Sequence, residues 1–457
     1  MTTNTNQLVR AARLADVQRA GCLPVQVNGH TLALFAQDGR VFAVDNRCPH
    51  MGFPLHRGTV RDGILTCHWH HARFDLASGG TFDQWADDVA AFPVELRDGE
   101  VWVDLAPHAG RQTHLRQRLN DGLERNIPLV MAKAIIGLLD GGSELAEPFR
   151  LGLDFGVRYR RNGWGQGLTI LTCMVNLLPY LQTDDRPRAL YHGLSAVAND
   201  SDGAPPRFMV NPLPSTPSDP AVLKRWFRQF IEVRDDEGAE RCIISAIRAG
   251  ADNERMADML FAAATDHRYI QIGHPLDFTN KAFEALDAAG WSHAERVLTS
   301  LVTGYAMASR MEESNAWRYP IDLIAILDTT FEQLPAVLAG SRWPVAGGKW
   351  QVVESGRPSA VGRPSTDLVA VLLGEDPQAI ADALLAALRE GVSPVELAGV
   401  VAYTAALRIA RFHTSNEFSD WDTALHTFTF ANAVHRGLRR TPSAELVRGI
   451  FDAAMSV

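Results

Sequence analysis

The stretch CPHMGFPLHRG, residues 48–58, is soon followed by CHWHHARFDL, residues 67–76. Cys48 and His50 stand two apart and Cys67 and His70 three apart. Sixteen residues separate His50 from Cys67, room for one short hairpin between two donor-bearing loops. Thiolate and imidazole donors on two such loops suit a tetrahedral zinc site or an iron–sulfur cluster, and donor type alone leaves both open. The flanks restrict the fold around them. PVQVNGHTLALFAQDGRVFAVDN and VAAFPVELRDGEVWVDL alternate apolar with polar residues and carry Asn-Gly and Asp-Gly turn signals, which predicts hairpin strands. Residues 10–107 are therefore expected to form a small all-β domain.

The two boxes resemble those of the Rieske domain, in which two cysteines hold one iron of a 2Fe-2S cluster and two histidines hold the other. Cys48-Pro49-His50-Met51-Gly52-Phe53-Pro54-Leu55 matches the first box, and Cys67-His68-Trp69-His70 followed by Arg73-Phe74-Asp75 keeps both ligands of the second. The resemblance implies that Cys48, His50, Cys67 and His70 bind the cluster. Two positions depart from it: His68 stands where proline is usual and His71 where glycine is usual, which bears on how closely the second loop covers the cluster. Members from respiratory complexes carry an extra disulfide between the loops and hydroxyl donors to the cluster. Here Phe53 and Trp69 replace those cysteines, and Ala72 and Phe74 replace the donors. This implies a low-potential, ferredoxin-like centre that takes single electrons from a separate reductase or ferredoxin, with His50 and His70 as the exit path.

From residue 108 the pattern turns helical: connecting helices over 108–150 and a helical domain over 151–457, with a linker at 341–366. Ser393-Pro394-Val395-Glu396 and Ser292-His293-Ala294-Glu295 read as capping boxes, and Asp219-Pro220 and Asp376-Pro377 as caps followed by a first-turn proline. AERVLTSLVTGYAMASRMEE reads as one helix. The segment HPLDFTNKAFEAL from His274 aligns with HTFTFANAVHRGL from His426, each after an alanine-rich helix that ends near a further histidine, His267 or His413. A weaker relative places His192 early in a second helix. The expected fold class is thus multidomain, an all-β Rieske domain followed by a mostly α-helical domain of stacked helix pairs, as a solenoid or a toroid.

Such pairs line one inner surface with equivalent positions. His192, His267, His274, His413 and His426, with Glu312 or Glu313 as the carboxylate, are candidates for a second, non-haem iron site. Asp422 shares a helical face with His426, whereas His435 is about half a turn out of phase and is expected to face elsewhere. Each histidine taken alone also suits a cap or a satisfied core position. After residue 108 no two histidines lie four or five apart, so the two-histidine, one-carboxylate iron motif of ring-hydroxylating oxygenases does not carry over. The helix pairs are distantly similar to the questin oxidase family, which performs oxidative ring cleavage.

Three functions fit. In the first, an oxygenase, the cluster feeds electrons to iron in the helical domain, where a small organic substrate binds. In the other two, the helical domain is a docking module of an electron-transfer protein or of a redox sensor. No pattern names a catalytic side chain. The connection over 108–125 is compatible with transfer between subunits of a homo-oligomer. A net charge of -9 without a basic run argues against nucleic acid. No apolar stretch suggests export or a membrane span, so the expected location is the cytoplasm. The glycines of NGWGQGLTI have the wrong spacing for a phosphate loop, and Cys173 and Cys242 sit in apolar helical contexts that suit inert buried thiols.

Overall fold

The structure is a computed structural model. It describes residues 8–106, 110–340 apart from 216 and 218, 345–346, 349–350, and 366–457 apart from 442. Ten short strands open the chain: β1 Leu8–Arg13, β2 Cys22–Val27, β3 His30–Gln37, β4 Arg40–Asp45, β5 Thr59–Arg61, β6 Ile64–Thr66, β7 Arg73–Asp75, β8 Ala91–Phe92, β9 Val94–Arg97 and β10 Glu100–Asp104. The turns Asn28-Gly29, Asp38-Gly39, Asp62-Gly63 and Asp98-Gly99 have positive φ at both central residues. That is the turn whose twist matches the flanking strands, so these four dipeptides set the register of four hairpins.

The strands form a four-stranded sheet in the order β2-β3-β4-β8 and two three-stranded sheets, β1-β10-β9 and β5-β6-β7. Strand β3 is buried on both faces. Leu32 and Leu34 pack with Val101, Val103 and Val17, the last on helix α1 (Leu14–Ala20), while Ala33 and Phe35 join Val44, Leu55, Leu65 and Phe74. Alternation along one strand thus feeds two cores. Cys48 and Cys67 belong to the second.

Two compact units are present: residues 1–151 with 182–195, and residues 152–181 with 196–457. The segment expected to be a connection therefore packs with the β domain. Helices α2 (Arg111–Glu124) and α3 (Pro128–Asp140) form a hairpin. It is fixed by Arg118, 8% exposed, whose Nε donates to Asp87 Oδ1 at 3.0 Å and whose terminal nitrogen donates to the Ala86 carbonyl at 2.8 Å.

The second unit is mostly helical. Asp219, Asp376 and Ser393 cap their helices as expected, the last in a reciprocal box with Glu396. Ser292 does not. A 3₁₀ turn over Trp291–His293 runs directly into the helix Ala294–Thr299, leaving Ser292 inside the turn rather than ahead of it. The single helix expected after Ala294 is also broken, into Ala294–Thr299, Val302–Ala306 and a 3₁₀ turn, Met311–Glu313. The Thr299 carbonyl accepts from Arg207 at 2.8 Å and the Ser300 carbonyl from the Trp164 amide at 2.7 Å, so tertiary donors take acceptors that a continuous helix would use. Most of the linker expected at 341–366 lies outside the described residues. Among the described residues no helix is long and apolar enough to cross a membrane.

Candidate functional site

The two boxes fold into matching loops. The Cys48 amide donates to the Phe53 carbonyl at 2.8 Å and the Cys67 amide to the Ala72 carbonyl at 2.8 Å, each five residues on. Inside them, the amides of Gly52 and His71 return to the Cys48 and Cys67 carbonyls at 2.8 and 3.0 Å. Gly52 and His71 are therefore equivalent, and both are left-handed, at φ +84° and +62°. This is why glycine suits the second position, and His71 fills it at a cost. His71 is exposed. His71→Gly is expected to stabilise the fold by about 0.5–1 kcal/mol, read as a rise in the denaturation midpoint; a fall would assign the ring a contact of its own.

The loops bring the four ligands together as two pairs. Cys48 and Cys67 are 3% and 1% exposed and within hydrogen-bonding reach of each other. The His50 and His70 rings meet edge to face with centroids 4.7 Å apart. Burial pushes the Cys48 thiol up, and the neighbouring Cys67 adds to this, while the amides of His50 and Met51 bond to the Cys48 sulfur and act the other way. His50 Nδ1 is buried without a hydrogen-bond partner. Among the described residues no three His, Cys, Asp or Glu groups surround one point. A two-iron cluster with two protein ligands per iron needs no such triplet; it needs a thiol pair, an imidazole pair and a lone pair left over, and these residues fit it.

Aromatic rings enclose the pairs. Phe53 and Trp69 face each other across the loops at 6.1 Å, at the two positions the resemblance aligns with the extra cysteines of respiratory members. Trp85 meets His50 edge to face at 4.8 Å and Trp69 lies 4.7 Å from His70. Ala72 and Phe74 are fully buried and offer no hydroxyl. Lys133 of α3 lies behind the first loop, its Nζ 3.5 Å from the His50 carbonyl. Burial lowers the pKa of the Lys133 ammonium, opposed by Asp87 and Cys48.

Comparison with known proteins agrees. The Rieske [2Fe-2S] domain family matches residues 7–93. The ferredoxin component of the p-cumate 2,3-dioxygenase system of Pseudomonas putida is 30% identical over 110 residues, 23% of this chain and 93% of that protein. The chain belongs to the Rieske [2Fe-2S] family. The ferredoxin component of the naphthalene 1,2-dioxygenase system of Pseudomonas putida is 28% identical over 103 residues, 22% of this chain and 99% of that protein. A shorter match, 41% over 71 residues, covers 14% of this chain and 20% of the vanillate O-demethylase oxygenase subunit of Pseudomonas sp. strain HR199. The Rieske likeness thus accounts for the β domain and leaves the helical unit to its own residues.

Of the six residues expected to form a second site, the structure joins four, as two separate pairs. His192 is exposed on the helix Arg186–Ser201, in the part, up to Ser195, that clusters with the first unit, and His413 is exposed and bonded to Ser415 at 2.7 Å. Neither enters a pair, because each sits on a solvent face of its segment. Glu313 is exposed as well. His267 is clamped between carboxylates, its Nδ1 2.5 Å from Glu312 Oε1 and its Nε2 2.9 Å from Glu232 Oε2. Burial pushes Glu312 up, but the bonds from His267 and the Arg268 amide outweigh it and hold Glu312 below the usual carboxylate range. Only Nδ1 is hydrogen-bonded; Nε2 is within ion-pair distance of Glu232 but makes no hydrogen bond, and among the described residues no second histidine joins the group.

His274 and His426 meet, with their Nε2 atoms 3.2 Å apart. His426 Nδ1 donates to the Asp422 carbonyl at 2.7 Å, so Asp422 orients the ring through its backbone more than through its carboxylate, 3.5 Å away. In the neutral ring this leaves the lone pair on His426 Nε2, aimed at His274. Asp277, 8% exposed, lies 3.5 Å from His274 Nδ1, and its Oδ1 is buried without a partner. The loop into His274 is strained, with Tyr269 at φ +39° and Ile272 at +53°. The aligned segments are not equivalent in place: His274 opens the helix His274–Ala289, whereas His426 lies inside Phe418–Arg440, which starts earlier because Glu417 and Asp420 cap it reciprocally.

Two acids escaped sequence reasoning. Asp277 was signalled by its i+3 spacing from His274. Asp452 stands alone in the apolar run GIFDAAM; it is fully buried, both oxygens lack hydrogen bonds, Arg268 Nε lies 3.6 Å away, and burial pushes it up to about 6. Cys242 is pushed up to about 12 by burial, as suits an inert thiol.

Proposed function

We propose that the protein is a Rieske oxidoreductase, an oxygenase in which the 2Fe-2S cluster delivers electrons to a non-haem iron held by His274 and His426 in the helical unit. The observation that carries this reading is the facing Nε2 pair. If both rings are protonated at Nδ1, two lone pairs confront each other at 3.2 Å and require a cation between them; the Asp422 carbonyl fixes this tautomer for His426, while His274 Nδ1 has no hydrogen-bond partner and lies 3.5 Å from Asp277. Bonds of about 2.1 Å reach both nitrogens from one point. Asp277 lies 3.5 Å from the opposite nitrogen, His274 Nδ1, where it can orient the ring, and among the described residues no third His, Cys, Asp or Glu joins the pair. The competing arrangement is an ordinary hydrogen bond, in which His274 carries its proton on Nε2 and donates to His426 Nε2, leaving His274 Nδ1 without a partner.

When bound, the cluster supplies single electrons and the iron an acidic redox centre for dioxygen and a small organic substrate. The chain's own part is to bind, orient and exclude water. Trp69 and Trp85, 53% and 39% exposed beside the two cluster histidines, give an apolar face on which a separate reductase or ferredoxin would dock. A second reading, an electron-transfer protein or redox sensor whose helical unit is a docking module, is favoured by the near-complete match to ferredoxin components.

Iron and acid-labile sulfide per chain separate the two. The oxygenase reading expects about three irons to two sulfides after reconstitution, one iron beyond the cluster's two. Equal iron and sulfide would return His274 and His426 to a structural role and leave the electron-transfer reading.

A further inference from the structure

The hairpin of α2 and α3 is tied to the cluster loops at several points. Arg118 holds Asp87 and the Ala86 carbonyl, His114 Nε2 lies 3.2 Å from Asp88 Oδ2, and Lys133 Nζ lies 3.5 Å from the His50 carbonyl. The segment so gripped, Ala86 to Asp88, directly follows Trp85, the ring that packs on His50. One arrangement therefore positions both neighbours of a single cluster ligand. Asp87 is occupied by the Arg118 guanidinium, which limits how far it can neutralise the half-buried Lys133 ammonium. Lys133 also borders a cleft of about 430 Å³ beside Cys48 and Pro49, whose lining sets Arg47 and Arg111 against Asp45 and Asp88 and leaves Lys133 as its third cation.

None of this belongs to the ferredoxin components. The naphthalene system's ferredoxin is covered to 99% by 103 aligned residues, about the span from β1 to β10, and has no length left for a hairpin after it. The cation behind His50 is an addition of this chain to a domain that otherwise resembles a free-standing carrier.

We propose that Lys133 is a redox-tuning residue. Its ammonium, fixed behind the first ligand loop, favours the extra negative charge of the reduced cluster and raises the reduction potential above that of the same domain without it. The step is a one-electron reduction: the electron comes from the external donor, the cluster gains one unit of negative charge, and no bond forms or breaks. The physical cause is Coulombic. A fixed positive charge in a medium of reduced dielectric stabilises the more negative of two charge states, and charge near a cluster is one of the protein's levers on its potential. Ala72 and Phe74, at the second loop, offer the cluster no hydroxyl hydrogen bond, which holds the potential down; Lys133, at the first loop, acts the other way.

The test is a mediated redox titration of the full-length, cluster-loaded protein, read by visible absorption, on the native chain, Lys133→Met, Lys133→Gln and Lys133→Arg. Both neutral variants are expected to show a reduced-to-oxidised ratio up to about tenfold lower at any fixed mediator potential, which for a one-electron couple corresponds to about 59 mV. Lys133→Arg is expected to stay close to the native midpoint. Cluster absorption and thermal midpoint, measured on the same samples, identify any variant that has lost its fold, and a single intact neutral variant suffices. Native midpoints in the neutral variants overturn the proposal. So does an arginine variant shifted as far as the neutral ones, since that assigns Lys133 a packing role. The outcome is independent of whether the helical unit binds iron.

Discussion

Serine in place of Cys48 or of Cys67 abolishes the visible absorption of the cluster, removes all acid-labile sulfide and stops any reaction that depends on electron input. The effect is expected to be complete rather than graded. Both sulfurs sit in the apolar core that also holds Leu55, Leu65 and Phe74, where water cannot substitute for a lost ligand. A hydroxyl stays protonated where a thiol would ionise, and it lacks the soft donor character that iron–sulfur ligation needs. Cys22→Ser and Cys242→Ser are the controls. Both thiols are pushed up by burial, Cys22 to about 11, and neither belongs to a box, so both variants keep native absorption. Retained absorption in Cys48→Ser or Cys67→Ser would overturn the ligand assignment.

His274→Ala and His426→Ala are expected to leave that absorption intact and to remove the one iron that the oxygenase proposal expects in excess of sulfide. Each deletes one of two nitrogens that face each other at 3.2 Å, and one remaining imidazole is not a seat for an ion. The loss is therefore expected to be nearly the same in either variant. Asp277→Asn is expected to weaken iron retention by about 10–100-fold, as removal of an orienting acid typically does. His413→Ala should change nothing, since that ring is exposed and engaged with Ser415. Native iron content in both His274→Ala and His426→Ala would show that the pair is held by a proton, and the helical unit would then be read as a docking module.

How much of this was legible in the sequence follows from how local each feature is. Asn-Gly and Asp-Gly turns fix two φ angles each, so the hairpins could be placed without knowing what they pack against. Caps at Asp219, Asp376 and Ser393 are equally local and hold. Ser292 and the helix after Ala294 fail for the opposite reason: Arg207 and Trp164, remote in sequence, take the carbonyls on which continuity depends. The departure at His71 could be seen in the sequence, but its cost could not, because only the fold gives φ +62° there and shows its equivalence to Gly52.

By itself, then, the sequence marked out the residues expected to seat the cluster. Cys48, His50, Cys67 and His70 lie on two short loops whose hydrogen bonds close within five residues, so spacing along the chain nearly fixes spacing in space. Which of the scattered histidines meet was decided only by the tertiary structure. His274 and His426 are 152 residues apart, and their meeting depends on the strained loop before one helix and the early cap of another. Lys133 lies 83 residues from His50 and reaches it only because Arg118 docks the hairpin. Contacts that close long loops rest on the packing of everything between them, and no local pattern encodes that sum.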